Sequence, residues 1–238
     1  MDPVTLRTSV RIVGRGRAGG SLAGALRAAG WDVELVAHDG ATAEGVDLLV
    51  LAVPDAAISS VAAAIEPVAS TVIAHLAGSL GLDALAPHDR RAALHPLVAL
   101  PNAELGASRL HGAWFATAGD SLVEEVVTAL GGRSFTVDDQ HRAAYHAAAA
   151  IASNHLVALL AQAERVGGAA GVPFEAYLDL VRATVENVAA IGPKAALTGP
   201  AARGDSVTIR RHLDALPDEE RPIYALLAEA CRALAAER

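Results

Sequence analysis

The chain has 238 residues, 27 acidic and 19 basic side chains and a formal charge of −8, a surface that repels nucleic acid and anionic membranes and so argues against both as general partners. Apolar residues make up 53% of it and aromatics only 3%. The length allows a sizeable core in two linked domains, built from Ala, Val, Leu and Ile with helices packed closely on small side chains. Cys231 is the single cysteine, which excludes an intrachain disulfide and a cysteine-based zinc site and fits a reducing cytoplasm. The N-terminal "MDPVTLRTSV" has no basic region followed by an apolar run, so no signal peptide is expected.

In chain order, "VRIVG" (10–14) reads as a buried strand and "AGGSLAGALRAAG" (18–30) as a helix stopped by Gly30. "DVELVAHD" (32–39) and "DLLVLAVP" (47–54) read as strands, and the segment between them is too short for a full helix. "DAAISSVAAAIEPV" is helical, "STVIAHLAG" (70–78) is a strand, and "RAALHPL" holds a short strand ending at His95-Pro96. "GAWFATAG" (112–119), the helix "SLVEEVVTALGG" and the strand "RSFTVD" (133–138) follow. Continuous Val/Ile/Leu strands alternating with helices indicate an α/β fold around a mainly parallel sheet covered on both faces. After Asp138 no convincing strand is found. Helices are expected near 140–170, 174–191, 206–215 and 218–236, giving an α/β domain over 1–138 and an all-helical domain over 139–238. Residues 143–163 are long and apolar enough to raise a membrane span, but Tyr145, His146, Ser153, Asn154, His155 and Gln162 interrupt them, and a buried helix is the expectation.

Chemistry enters with "IVGRGRAGGSLAGAL" (12–26). Gly14-x-Gly16-x-x-Gly19 lies between a strand and a helix, the context of a dinucleotide fingerprint. Gly14 permits the turn, Gly16 lets the backbone approach a pyrophosphate, and Gly19 lets the helix pack on the strand, with Arg15, Arg17 and Ala18 completing the loop. An empty glycine-rich turn is the alternative. Asp39, ending the second strand, can accept from both ribose hydroxyls of NAD and repels the extra phosphate of NADP, although it also suits a turn. His38, Arg15 and Arg17 lie close in sequence and can reverse that preference, so NAD is favoured over NADP only slightly. Val53 and Pro54 are expected to flank the cofactor. Ser79 and His95, at the carboxyl ends of later strands, are expected toward its nicotinamide end. His75, inside its strand, reads as a core histidine.

At 100° per residue, His146, Ala150, Ser153, Asn154 and Val157 share one helical stripe. Buried polar groups need partners, at roughly 1–3 kcal/mol each, so three on one alanine-rich stripe invite a use. Asn154 offers a donor and an acceptor to a carbonyl or imine. His146 or His95 can supply or relay a proton. Lys194, the only lysine, is a candidate ammonium or a solvated charge. Arg203 can fork onto a substrate carboxylate or bridge to Asp205, which in turn suits the N-cap of the next helix. No histidine–carboxylate spacing supports a metal site.

The stretches "VGRGRAGGSLAGAL", "LLVLAVPDAAI", "LHPL", "YHAAAAIASNHLVAL", "ENVAAIGPKAALTGPAARGD" and "RHLDAL" cover most of the chain in order. Together they resemble bacterial proteins that join a Rossmann-like domain to "domain of unknown function 2520". Those proteins lie within the 6-phosphogluconate-dehydrogenase-like superfamily, beside pyrroline-carboxylate reductase and ketopantoate reductase. The resemblance implies an NAD(P)-type cleft between the Rossmann-like and helical domains and a homodimer made through the helices. It does not supply a reaction. His38-Asp39 stands where the family often has Arg or Ser, the connection after it is shortened, and "AHLAGSL" replaces a His-Thr-Ser-Gly pattern. Related hydroxyacid dehydrogenases carry a lysine one turn before a comparable asparagine, where this chain has Ala150.

The expected function is an NAD(P)-dependent oxidoreductase moving a hydride to or from a carbonyl or imine of a small, carboxylated substrate. The alternatives are a non-catalytic dinucleotide sensor of the same fold and a reductase using a deazaflavin. Asn154, His146 and His95 are the candidate catalytic residues. Ser79, Ser153, Lys194 and Arg203 are the candidates for substrate binding.

Overall fold

A computed structural model describes residues 8–237. The N-terminal stretch read as lacking a signal peptide lies, through Arg7, outside the described residues. Seven strands form one sheet in the order β2-β1-β3-β4-β5-β6-β7. They are β1 (Ser9–Val13), β2 (Asp32–Val36), β3 (Leu48–Leu51), β4 (Val72–His75), β5 (Arg91–Pro96), β6 (Trp114–Gly119) and β7 (Arg133–Thr136). β1 pairs in parallel with both β2 and β3, and parallel pairing continues through β4 to β5. β6 runs antiparallel to β5, and β7 is parallel to β6.

The strands obey the two-residue period of a pleated sheet. Val10 and Ile12 of β1 and Leu48 and Val50 of β3 enter one apolar cluster, while Val13, Leu49 and Leu51 enter the cluster on the opposite face. All four β3 residues are buried, which is why that strand reads as an unbroken apolar run. The first face is covered by α1 (Arg17–Ala28), α3 (Ala103–Leu110) and α4 (Leu122–Ala129), the second by α2 (Ile58–Ala64). As expected, no helix joins β2 to β3.

α3 is the element the sequence reading misses. Its apolar period is weak, and Gly106 sits in its interior. Two features make it a helix here. The Asn102 side chain caps it, accepting from Leu105 N–H at 2.9 Å. Its small face then meets the small face of α1: a Cβ on Gly20 would lie 2.8 Å from Ala103 Cβ, and one on Gly24 3.1 Å from Ala107 Cβ. A Cβ on Gly106 would overlap Ser21 Oγ.

The helical part comprises α5 (Arg142–Ala150), α6 (Leu156–Ala169), α7 (Phe174–Ala196), α8 (Ser206–Ala215) and α9 (Arg221–Ala236). A π turn over Ile151–His155 joins α5 to α6, and α7 breaks where Gly192 takes φ 78° ahead of Pro193, one residue after the expected end of that helix. The chain divides into two compact units between Ser153 and Asn154 rather than at 138. The reason is that α5 belongs to the sheet unit: the Tyr145 ring meets Phe135 at 5.7 Å and His95 at 5.5 Å, and Asp139 lies against Gly81. The segment Asp139–Ala169 is a helix long and apolar enough, by length and composition, to cross a membrane, and none of its most apolar window is buried. The expectation of a buried helix therefore fails for this chain on its own. Ile151 and Val157 are exposed because the described residues supply no cover for that face.

Packing of α1 on α3 predicts that Gly106→Ala lowers stability by about 1–3 kcal/mol through overpacking. Gly168→Ala, where an added methyl meets nothing within 4 Å, leaves it unchanged or slightly higher. Chemical denaturation of the two variants checks the pair.

Candidate functional site

The loop leaving β1 is shaped by what cannot fit beside it. Gly14 continues the ladder through its N–H to Val36 O at 2.9 Å, then turns at φ 116°, a conformation open to glycine. A Cβ on Gly14 would overlap the Ala52 carbonyl at the end of β3, and one on Gly19 would overlap the Gly14 carbonyl. Gly16 differs: a Cβ there meets nothing within 4 Å. It is the N-cap of α1, whose first turn has no acidic residue and no side-chain cap. The leading N–H groups and the positive end of the helix therefore face open space across a bare backbone, an arrangement that accepts a phosphate. Arg15 and Arg17 are exposed and Ala18 is half-buried. Val53 and Pro54 follow β3 beside this loop, Val53 half-buried and Pro54 exposed.

At the end of β2 an open cavity of about 320 Å³ is lined by Arg11, Arg15, Glu34, Val36, Asp39 and Thr42, among others. Arg11 is committed to the fold, donating to Glu34 at 2.6 Å and to the Thr42 and Glu44 carbonyls at 2.6 and 3.0 Å. Asp39 pairs with His38 at 3.0 Å, both exposed. Among the described residues, Arg15 has no hydrogen-bond or ion-pair partner.

A second polar group forms at the carboxyl ends of β4 and β5. His95 Nδ1 lies 2.6 Å from Tyr145 Oη, and the His95 and His146 rings are 5.6 Å apart. His146 Nδ1 is buried without a hydrogen-bond partner. Ser79 donates to Asp55 at 3.3 Å, tying the ends of β4 and β3 together. Arg142 is completely buried: Nε donates to Asp139 at 2.9 Å, and neither terminal nitrogen has a partner. His75 is buried in β4 with its Nε2 3.3 Å from Gly81 O, the core position expected of it. Burial first, then the neighbouring His146, pushes the His95 pKa down to about 4, with Arg142 and His75 adding to the shift and Asp55 opposing it. His75 is likewise lowered by burial, against its bond to Gly81. Burial raises the Tyr145 phenol, with Arg142 opposing. Near neutral pH the imidazole is uncharged and the phenol keeps its proton.

The remaining candidates are dispersed. The π turn changes the rotation per residue, so the stripe expected from 100° steps does not run unbroken from His146 to Val157. Ser153 Oγ donates back to Ala149 O at 2.8 Å. Asn154 is exposed and opens the second unit. In that unit Lys194 pairs with Glu237 at 2.8 Å, Arg203 is exposed, and Asp205 caps α8 by accepting from Thr208 N–H at 3.0 Å. The sequence reading gives Tyr145 and Arg142 no role, and places Asp55 and Gly78 only as strand ends on the ligand-binding edge. Tyr145 stood beside His146 in a quoted motif, but its partner is 50 residues away, which no local pattern records.

The unfolded chain binds a proton at His95 near its ordinary pKa, whereas the folded chain resists protonation down to about 4. Stability tied to neutral His95 is thus present above about pH 6.5 and is lost as pH falls from there toward 4. Thermal unfolding midpoints across this range should decline less steeply in His95→Gln than in the wild type.

Residues 115–231 match the family model described as Domain of unknown function (DUF2520). No curated protein matches the chain. Among solved structures, a Bacteroides fragilis protein provisionally described as an NADP oxidoreductase is 20% identical with a TM-score of 0.80, over 95% of this chain and 98% of that one. A reductive aminase from Aspergillus terreus, in complex with NADPH and ethyl-5-oxohexanoate, is 18% identical with a TM-score of 0.72, over 97% and 98%. Pyrroline carboxylate reductase from Plasmodium falciparum, with NADP bound, is 14% identical with a TM-score of 0.61, over 96% and 98%. At these identities the likeness is one of fold. The sheet is thus that of a Rossmann-like α/β protein, and residues 115–231 resemble the DUF2520 family.

Proposed function

We propose that the protein is an NAD(P)H-dependent reductase acting on a carbonyl or imine carbon of a small, carboxylated substrate. The observation that carries this reading is Gly16. Its neighbours Gly14 and Gly19 exclude side chains because the protein itself fills the space, whereas Gly16 leaves the space open. That bare backbone at a helix N-terminus fits a diphosphate, with Gly14, Arg15, Gly16, Arg17, Ala18 and Gly19 as its cradle and Val53 and Pro54 beside it. The dinucleotide, when bound, supplies the hydride. Because β3 and β4 separate β1 from β5, His95 lies about three strand spacings, roughly 14 Å, along the same sheet edge. That displacement suits the reach from a diphosphate to a nicotinamide ring.

His95 serves as the group that holds a proton toward the reacting atom, and His146 lines the same place. Asn154 orients the reacting group through an amide that both donates and accepts. Arg203 is the candidate partner for a substrate carboxylate. Arg15, unpartnered on the cavity at the end of β2, supports NADPH over NADH, since Asp39 is engaged by His38. The solved structures that hold NADP or NADPH support the same choice. The exposed apolar side chains of the helical unit, among them Leu180, Val185, Ile191 and Leu226, support a homodimer through the helices as their cover. The apolar face of Asp139–Ala169 is read in the same way, as a protein contact rather than a membrane contact.

Gly16→Val should leave the thermal midpoint unchanged and weaken NADPH binding by about tenfold or more in calorimetry. Loss of stability with binding intact would overturn the cradle. With NADPH and a panel of keto acids and cyclic imines, Asn154→Ala should lower kcat by about a hundredfold or more while cofactor affinity is kept. Tight cofactor binding with no turnover of any panel member would favour a sensor, and heat only with a deazaflavin would change the cofactor. Light scattering on the purified chain should give twice the monomer mass.

A further inference from the structure

Tyr145 has a use that no local motif signals. Its hydroxyl lies 2.6 Å from His95 Nδ1. The two rings meet edge to face at 5.5 Å and 88°. On its other side Tyr145 is held by Phe135 at 5.7 Å and 73°, and Phe135 in turn leans on Trp114 at 6.1 Å. The phenol is therefore set against one nitrogen of the imidazole by a run of aromatic contacts rooted in β6 and β7.

A neutral imidazole has one N–H and one acceptor nitrogen. A phenol that keeps its proton donates most favourably to the acceptor. With Tyr145 donating to Nδ1, the proton of His95 must sit on Nε2. That nitrogen turns toward Gly78, where a Cβ would come within 2.9 Å of it and closer still to His146 Nδ1. Gly78 thus has no room for a side chain, because His95 Nε2 and the buried, unpartnered Nδ1 of His146 fill the space beside it. The charged or titratable groups around His95 are His146 and Arg142 on the α5 helix, His75 on β4, and Asp55 after β3.

We propose that Tyr145 is a positioning residue that fixes His95 as its Nε2–H tautomer, so that the site presents a hydrogen-bond donor and selects substrates whose reacting heteroatom carries a lone pair. A carbonyl oxygen or an unprotonated imine nitrogen meets this requirement. An iminium, which brings its own N–H, does not. The selectivity rests on the reductase reading above; the tautomer does not.

The test is a long-range ¹⁵N–¹H correlation spectrum of the full chain labelled at histidine, with His95 assigned by its loss in His95→Gln. The expected result at neutral pH is a protonated Nε2 and an unprotonated Nδ1 in the wild type. In Tyr145→Phe, which keeps the ring contacts, the two nitrogen shifts should move toward each other as both tautomers become populated. A wild-type His95 protonated at Nδ1, or shifts indifferent to Tyr145→Phe, overturns the proposal. Should Tyr145→Phe fail to fold, the wild-type spectrum alone decides. Kinetics add a second readout: Tyr145→Phe should lower kcat about tenfold or more for a keto acid, with NADPH affinity unchanged. A fixed tautomer without turnover of any keto acid or imine would retain the positioning role and reject the reductase reading, so the two failures are separable.

Discussion

The end of β3 lies so close to the loop after β1 that no side chain can stand between them. The Ala52 carbonyl occupies the space a Cβ on Gly14 would need, and the Gly14 carbonyl occupies the space a Cβ on Gly19 would need. This steric constraint positions the rest of the site. It draws α1 down onto the sheet, sets its N-terminus over the carboxyl end of β1, and leaves Gly16 as the one member of the triplet with room in front of it. The same closeness repeats on the outer side of α1, where Gly20 and Gly24 meet Ala103 and Ala107 of α3. A protein with few aromatics gains its packing density by bringing backbones together.

At the other end of the carboxyl edge the economy is reversed, because side chains there are large and polar, His75 and Arg142 buried and His95, Tyr145 and His146 half-buried. His75, His95, His146, Tyr145 and Arg142 gather near the ends of β4 and β5. Several of their polar atoms have no hydrogen-bond partner among the described residues. An unpaired buried polar atom costs about 1–3 kcal/mol, and a fully buried arginine with a single carboxylate contact is costly in the same sense. Such groups are the ones a functional-site proposal starts from. The carboxyl edge thus holds two contrasting groups: bare backbone around Gly16, and polar side chains gathered around His95.

Much of the sheet unit was legible in advance. The strand set, the absent helix between β2 and β3, and the glycine spacing all follow from apolar runs and from residues that terminate them. So did the cap at Asp205 and the break at Gly192-Pro193, which depend only on near neighbours. α3 was not legible, since its helix is stabilised by α1 rather than by its own apolar period. The helical stripe from His146 to Val157 failed for a related reason. A π turn inserts an extra residue's worth of rotation, and nothing in "IASNH" announces it.

The amino-acid order by itself determined where backbone must be bare and where it must turn, because glycine, proline and apolar periodicity act over a few residues. It also determined that the second half of the chain would be helical. Only the tertiary structure decided which polar side chains meet. Tyr145 reaches His95 across 50 residues, Ser79 reaches Asp55 across 24, and α5 joins the sheet unit instead of the helices that follow it. Those outcomes depend on strand order and on rings packed across the sheet edge, and contacts between distant residues leave no periodic trace in the sequence.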